Sequence, residues 1–188
     1  MKNSINIRTF FNGSVKLITP EVFNDNRGEF SEVYNYELYK KRYKIKDRFI
    51  QDNVSHSKYK YTIRGMHLQK KPFEQSKLVF VIKGSIIDFF VDLRKNSKTF
   101  GQYGSVKLKS SNKQLLYIQK GFAHGFKTIE SNTAVMYKVS NYYSPKNEVT
   151  LNYLDKIINI DWKLNNNKVH LSPKDLKGIS LDNVMKKL

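Results

Sequence analysis

Four histidines, His56, His67, His124 and His170, are the side chains of this 188-residue chain that ordinarily titrate closest to neutral pH. Two of them sit in segments of alternating apolar residues. Period-2 alternation puts Ile63, Gly65, His67 and Gln69 on one face of an extended segment. Gly65 beside Arg64 predicts a bulge or a close backbone approach, which would aim Arg64 and His67 into one cavity. His124 alternates with Phe122 and Phe126, so its imidazole is expected to point inward, as a satisfied core histidine or as a binding group. Asp88 and Asp92 share one face of an apolar segment, where a carboxylate is costly unless paired; Asp88 is expected to support His124 or Lys77.

The chemistry open to such residues is narrow. There is no cysteine, which excludes disulfides, thiol catalysis and Cys-based zinc sites. No Gly-x-Ser-x-Gly elbow and no phosphate-cradling glycine loop is present. Barrel metal centres commonly use two histidines one residue apart, and here the second place of that pair is Gln69, so no metal and no cofactor is expected. General acid–base chemistry by His, Tyr, Lys and carboxylates in a pocket is what remains.

The elements that must carry these residues are mostly strands. From Phe49 to about Tyr143 the alternation is punctuated by turn residues every 8–12 positions, the spacing of an all-β sandwich or barrel. Strands are expected at Val15–Ile18, Phe49–Ser55, Tyr61–Gln69, Lys77–Ile82, Ser85–Leu93, Tyr103–Leu108, Gln114–Ile118, His124–Ile129 and Thr133–Ser140. A turn at Asp25–Gly28 leads into a strand at Glu29–Tyr34, and short helices are expected at Tyr36–Tyr43 and near Leu181–Lys187. Lys83-Gly84 reads as a hairpin turn joining Lys77–Ile82 to Ser85–Leu93. The whole is mainly β, one domain over residues 1–188 with a β-barrel core and a short helical periphery.

Composition bounds the rest. With 25 aromatic residues and four prolines the chain is no disordered basic tail. No stretch approaches a membrane span, and the first eleven residues lack the continuous apolar run of a leader, so the expected compartment is the cytoplasm. The net charge of +18 would suit a nucleic-acid binder. Yet it comes from 28 lysines and only 6 arginines scattered along the chain, which reads as solvated surface, and no specific nucleic-acid partner is expected. The lysines, with runs such as Asn165-Asn166-Asn167, look like codon-usage bias.

Eight motifs, in order, point to a family. They are Asp25-Asn26-Arg27-Gly28-Glu29-Phe30, Gln51-Asp52-Asn53-Val54-Ser55, Ile63-Arg64-Gly65-Met66-His67-Leu68-Gln69, Ser76-Lys77-Leu78-Val79, Val91-Asp92-Leu93-Arg94, Gly121-Phe122-Ala123-His124-Gly125-Phe126, Tyr142-Tyr143-Ser144-Pro145 and Leu171-Ser172-Pro173-Lys174-Asp175. Together they resemble the dTDP-4-dehydrorhamnose 3,5-epimerase family from about Pro20 to Asp175. The resemblance implies a metal-free, cupin-like (jelly-roll) β-barrel, a homodimer, acting on a nucleotide-linked 4-keto sugar. It also implies roles: His67 as base, Asp175 as the carboxylate orienting it, Lys77 near the developing enolate oxygen, and Tyr137 as proton donor. Tyr137 also reads as a plain core tyrosine between Val135 and Val139. Arg27, Glu32, Gln51, Asn53, Arg64, His124 and Lys174 match residues around the sugar nucleotide.

That chemistry makes physical sense, because a ketone at carbon 4 acidifies the hydrogens on carbons 3 and 5. Inversion then needs a base on one face, an acid on the other and a cation for the enolate. Two positions depart from the family pattern: Gln119 stands where proline is common and Leu68 where an aromatic is. The leading expectation is epimerisation of dTDP-4-dehydro-6-deoxyglucose to dTDP-4-dehydro-L-rhamnose. Alternatives are a 3- or 3,5-epimerase on another 4-keto sugar nucleotide, such as a GDP-linked heptose, or a non-catalytic basic barrel.

Overall fold

The computed structural model describes residues 6–165 and 167–188. Residues 1–5, the start of the stretch read for a leader, and Asn166 of the asparagine run lie outside them. Strands β1 (Asn6–Phe10), β2 (Val15–Thr19), β3 (Phe23–Asp25) and β4 (Gly28–Phe30) precede helix α1 (Tyr36–Arg42). Then follow β5 (Gln51–Ser57), β6 (Ile63–Gln69), β7 (Lys77–Lys83), β8 (Ser85–Asp92), β9 (Tyr103–Lys109), β10 (Leu115–Ile118), β11 (Phe122–Thr128), β12 (Thr133–Val139) and β13 (Glu148–Thr150). Helices α2 (Pro173–Leu176) and α3 (Leu181–Lys187) end the chain.

The strands form a six-stranded sheet, β1-β2-β10-β7-β12-β5, a five-stranded sheet, β13-β6-β11-β8-β9, and the separate β3–β4 hairpin. Alternation explains the layering. Along β8, Ile86 and Phe90 join Val79, Val81, Phe122, Phe126 and Val135 in the core between the sheets, whereas Phe89 and Val91 face the other way. That outer face is covered by the C-terminal segment, with Trp162, Leu181 and Val184 packed on it. The six-stranded sheet is covered by Tyr39, Tyr43 and Ile45 of α1 and the residues after it. The mainly-β expectation and most strand positions hold.

Two expectations are corrected. Lys77–Ile82 and Ser85–Leu93 do not pair: β7 lies between β10 and β12, and β8 between β11 and β9 in the other sheet. Gly84, at φ 80°, carries the chain across from sheet to sheet, where an added Cβ would meet Thr133 Oγ1 at 2.5 Å. Alternation reports which face is apolar and not which edge is paired, so two strands meeting face to face across a core mimic a hairpin. The strand expected at Glu29–Tyr34 stops at Phe30, where the β3–β4 ribbon ends. Strands β1, β3 and β13 were not anticipated; β3 and β13 are three residues long, too short to alternate visibly.

Candidate active site

A cleft of about 540 Å³ opens between the two sheets at one end of the barrel. Its walls differ in origin. The six-stranded sheet supplies Gln51, Asn53 and Ser55 of β5, Lys77 of β7 and Tyr137 of β12; the five-stranded sheet supplies Arg64 and His67 of β6 and His124 of β11. Helix α2 adds Lys174 and Asp175.

The predicted bulge is what lets β6 contribute twice. Its pairing with β11 shifts register between His124 and Phe126, and Gly65 has φ 122°. A Cβ on Gly65 would stand 2.5 Å from Gly125 Cα, so the two backbones touch where only glycine fits. The expected common face of Ile63, Gly65, His67 and Gln69 is therefore split: Ile63 joins Met66 and Leu68 in the outer core, and Arg64 and His67 both reach the cleft. Arg64 is steadied from behind, its Nε donating to Ser57 Oγ (3.1 Å) and its Nη2 to the His56 carbonyl (2.9 Å).

Asp175 arrives from 108 residues away and lands 2.6 Å from His67 Nε2. Local sequence explains its posture. Ser172 caps α2 by accepting from the Asp175 N–H (3.1 Å), and Pro173 suits the first helical position. The segment is tied to β6 by the Ile63 N–H donating to the His170 carbonyl and the His170 N–H to Tyr61. Burial alone would raise the Asp175 pKa, but the hydrogen bond and charge of His67 outweigh it and hold the carboxyl below its usual range. An ionised Asp175 keeps the proton on His67 Nε2 and leaves Nδ1 as the basic nitrogen. His67 retains 24% side-chain exposure while Asp175 has 4%, so the imidazole is the accessible member of the pair.

Behind this dyad sits a second one. His124 Nε2 lies 2.9 Å from Asp88 Oδ2, as anticipated for that carboxylate, and Asp88 is fully buried. Burial lowers the His124 pKa and raises that of Asp88, so the pair resists charging. Lys77 is buried too, its Nζ donating to the His67 carbonyl at 3.3 Å. Desolvation pulls its pKa down to about 8, with Asp88 and Glu148 opposing. Tyr137, facing Asn53 across the β12–β5 pair, has its pKa raised by burial and partly restored by Arg64. Asp92 takes no part in the cleft; Arg94, Ser97 and Thr99 hold it at the far end of β8.

His67 and Tyr137 thus stand on opposite walls of one cleft, with a buried ammonium close to the first. An acid and a base on opposite sides of a bound ring can remove a proton from one face and return it to the other. Arg27 and Glu32 are not brought there. Arg27 is 85% exposed in the β3–β4 turn and paired with Asp25 at 2.6 Å, while Glu32 accepts from Asn35. Sequence reasoning also missed Tyr143 and Glu148, which line the cleft, with Tyr143 Oη donating to Glu148 Oε2 (2.9 Å) and Lys174 Nζ pairing with the same carboxylate (2.9 Å). Tyr143 lies in a quoted motif that carried no role; Glu148 sits on the unanticipated β13 and had no signal.

Known proteins bear on this geometry. The family model described as dTDP-4-dehydrorhamnose 3,5-epimerase matches residues 11–183. A dTDP-4-dehydrorhamnose 3,5-epimerase of Salmonella typhimurium is 41% identical over 171 residues, 91% of this chain and 92% of its own. The crystal structure of the Legionella pneumophila dTDP-6-deoxy-D-glucose-3,5-epimerase in complex with dTDP-4-keto-L-rhamnose superposes with a TM-score of 0.92 at 39% identity, covering 98% of this chain and 97% of that one. A Bacillus anthracis dTDP-4-dehydrorhamnose 3,5-epimerase with TDP and pyrophosphate bound gives 0.89 at 40%, covering 94% and 99%. With the match running over nearly the whole barrel and both walls of its cleft, the chain belongs to the dTDP-4-dehydrorhamnose 3,5-epimerase family.

Proposed function

We propose that this chain performs its family's 3,5-epimerisation on dTDP-4-dehydro-6-deoxyglucose with His67 as base and Tyr137 as acid. The observation that carries the reading is the 2.6 Å His67–Asp175 dyad on one wall of the cleft, with Tyr137 on the other. His67 Nδ1 removes the proton from carbon 5 or carbon 3, and the electrons move onto the oxygen at carbon 4. Lys77, charged and desolvated, stabilises that enolate. Tyr137 then protonates the same carbon from the opposite face, leaving a phenolate that Arg64 favours electrostatically. Each inversion moves one proton from Tyr137 to His67, so both groups must reset through solvent before the second carbon reacts.

The working unit we infer is a homodimer. Across β5, β12 and β7 the outward residues Val54, Met136 and Phe80 form an apolar row, with Val54 64% exposed and Ile82, further along β7 from Phe80, 49%. The β3–β4 hairpin likewise exposes Phe23 and Phe30. A second copy would cover both surfaces, and a hairpin docked on it could carry Arg27 and Glu32 into the neighbouring cleft.

Exchange of substrate hydrogens in deuterated water tests the proton roles. His67→Ala is expected to abolish deuterium uptake. Tyr137→Phe should still admit deuterium with configuration retained, while epimerised product falls about 100-fold or more. Normal epimerisation by Tyr137→Phe would return Tyr137 to the core; loss of uptake as complete as in His67→Ala would leave the two roles inseparable.

A further inference from the structure

We propose that Gln51, Gln69 and Gln75 are positioning residues: together they clamp the segment 141–144 and hold the Tyr143 ring in place at the mouth of the cleft before substrate arrives. The segment joins β12 to β13 and has no strand to pair with. Its backbone is satisfied by side chains instead. Gln75 Nε2 donates to the Asn141 carbonyl (2.8 Å), and Gln69 Nε2 to the Tyr142 carbonyl (3.1 Å). The Tyr143 N–H donates to Gln51 Oε1 (3.0 Å), and the Ser144 N–H to Gln69 Oε1 (2.6 Å). Four consecutive residues are therefore gripped by three glutamines drawn from β5, β6 and the residues before β7.

The residue type follows from the task. A primary amide offers two donors and an acceptor without charge, so Gln69 can serve a carbonyl and an N–H of the same loop. Its second donor reaches the Phe73 carbonyl (2.6 Å), which ties the loop ahead of β7 into the same grip. Glutamate would repel the carbonyls, and lysine could not accept from Ser144. Gln69 stands at the place that a second metal-binding histidine would occupy, and its amide is fully engaged here. Gln51, which the family resemblance places among substrate-binding residues, spends Oε1 on Tyr143 and Nε2 on Asn53 (2.8 Å).

The consequence is a rim built in advance. Tyr143 is 50% exposed, the hydroxyl end of its ring is pinned by Glu148, and its backbone is pinned by Gln51. An aromatic face held this way can receive a planar nucleobase without first paying to order its loop. This role rests on the reading of the substrate as a dTDP-sugar.

The test is a double-mutant cycle with dTDP itself as the probe. Gln69→Met and Gln75→Met, each checked for an intact thermal transition, are compared with Tyr143→Ala and with the paired variants, measuring dTDP dissociation constants by calorimetry and kcat at saturating substrate. We expect each methionine variant to weaken dTDP binding, Gln69→Met by roughly tenfold, with kcat changed less than about threefold. In the Tyr143→Ala background neither should weaken it further. Gln75→Met removes a single hydrogen bond and keeps the test open if Gln69→Met fails to fold. Unchanged dTDP binding, a loss confined to kcat, or losses that add to that of Tyr143→Ala would overturn the clamp. Wild-type protein that does not bind dTDP would overturn the substrate reading first, and the clamp's purpose with it.

Discussion

In the proposed reaction Lys77 is the side chain on which most depends, because the role given to it requires a charge that survives burial. Desolvation brings its pKa to about 8, so the ammonium is complete below that value and is lost as pH rises through it. If the enolate needs this charge, kcat/KM should fall on the alkaline side with a midpoint near 8, and Lys77→Met should lose about 100-fold or more in kcat. A pH–rate profile flat to pH 9.5 would remove Lys77 from the transition state. Asp88 contributes at one remove: it bonds His124 through one oxygen, while the other finds no partner among the described residues and stays within electrostatic reach of Lys77.

Strand β6 is the element on which the site turns. A regular strand would send Arg64 and His67, three residues apart, to opposite faces; the irregularity at Gly65 sends both to the cleft. Gly65→Ala should be doubly unfavourable, since φ 122° suits glycine and the new methyl would meet Gly125 Cα at 2.5 Å. We expect a loss of about 2 kcal/mol or more in stability and, in the protein that still folds, disproportionate loss of activity as Arg64 and His67 lose their common aim. Denaturant unfolding with parallel kinetics checks this; a stable, fully active Gly65→Ala would mean that the bulge is incidental.

For the molecule as a whole, the two sheets enclose the cleft while Arg27 and Glu32 stay outside its lining. If Arg27 serves the neighbouring cleft, His67→Ala and Arg27→Ala chains, each impaired alone, should complement when mixed. In a heterodimer one cleft carries both defects and the other carries neither, so an equal mixture should recover about a quarter of wild-type activity. No recovery after subunit exchange, with a dimer verified by light scattering, would confine each site to one chain. The +18 charge enters little into this architecture. It is spread over the surface, and the cations that matter here, Lys77, Arg64 and Lys174, are distinguished by burial or by fixed partners.

Legibility divided along a physical line. Fold class, most strands, α1 and α3 could be read directly, because apolar alternation and helix periodicity are properties of neighbouring residues. The Gly65 irregularity, the inward turn of His124 and the need of Asp88 for a partner followed from the same local logic. The pairing of β7 and β8 was misread because edge partners are chosen by the whole sheet, and a corner and a hairpin share the same glycine. Glu148 and the glutamine clamp left no local trace, since a glutamine bonded to a distant loop has the same neighbours in sequence as one bonded to water. His67 and Asp175 could be matched through a family motif, but their 2.6 Å contact exists only because the C-terminal segment docks beside β6. Local chemistry chose the groups; long-range packing, which no window of neighbouring residues contains, brought them together.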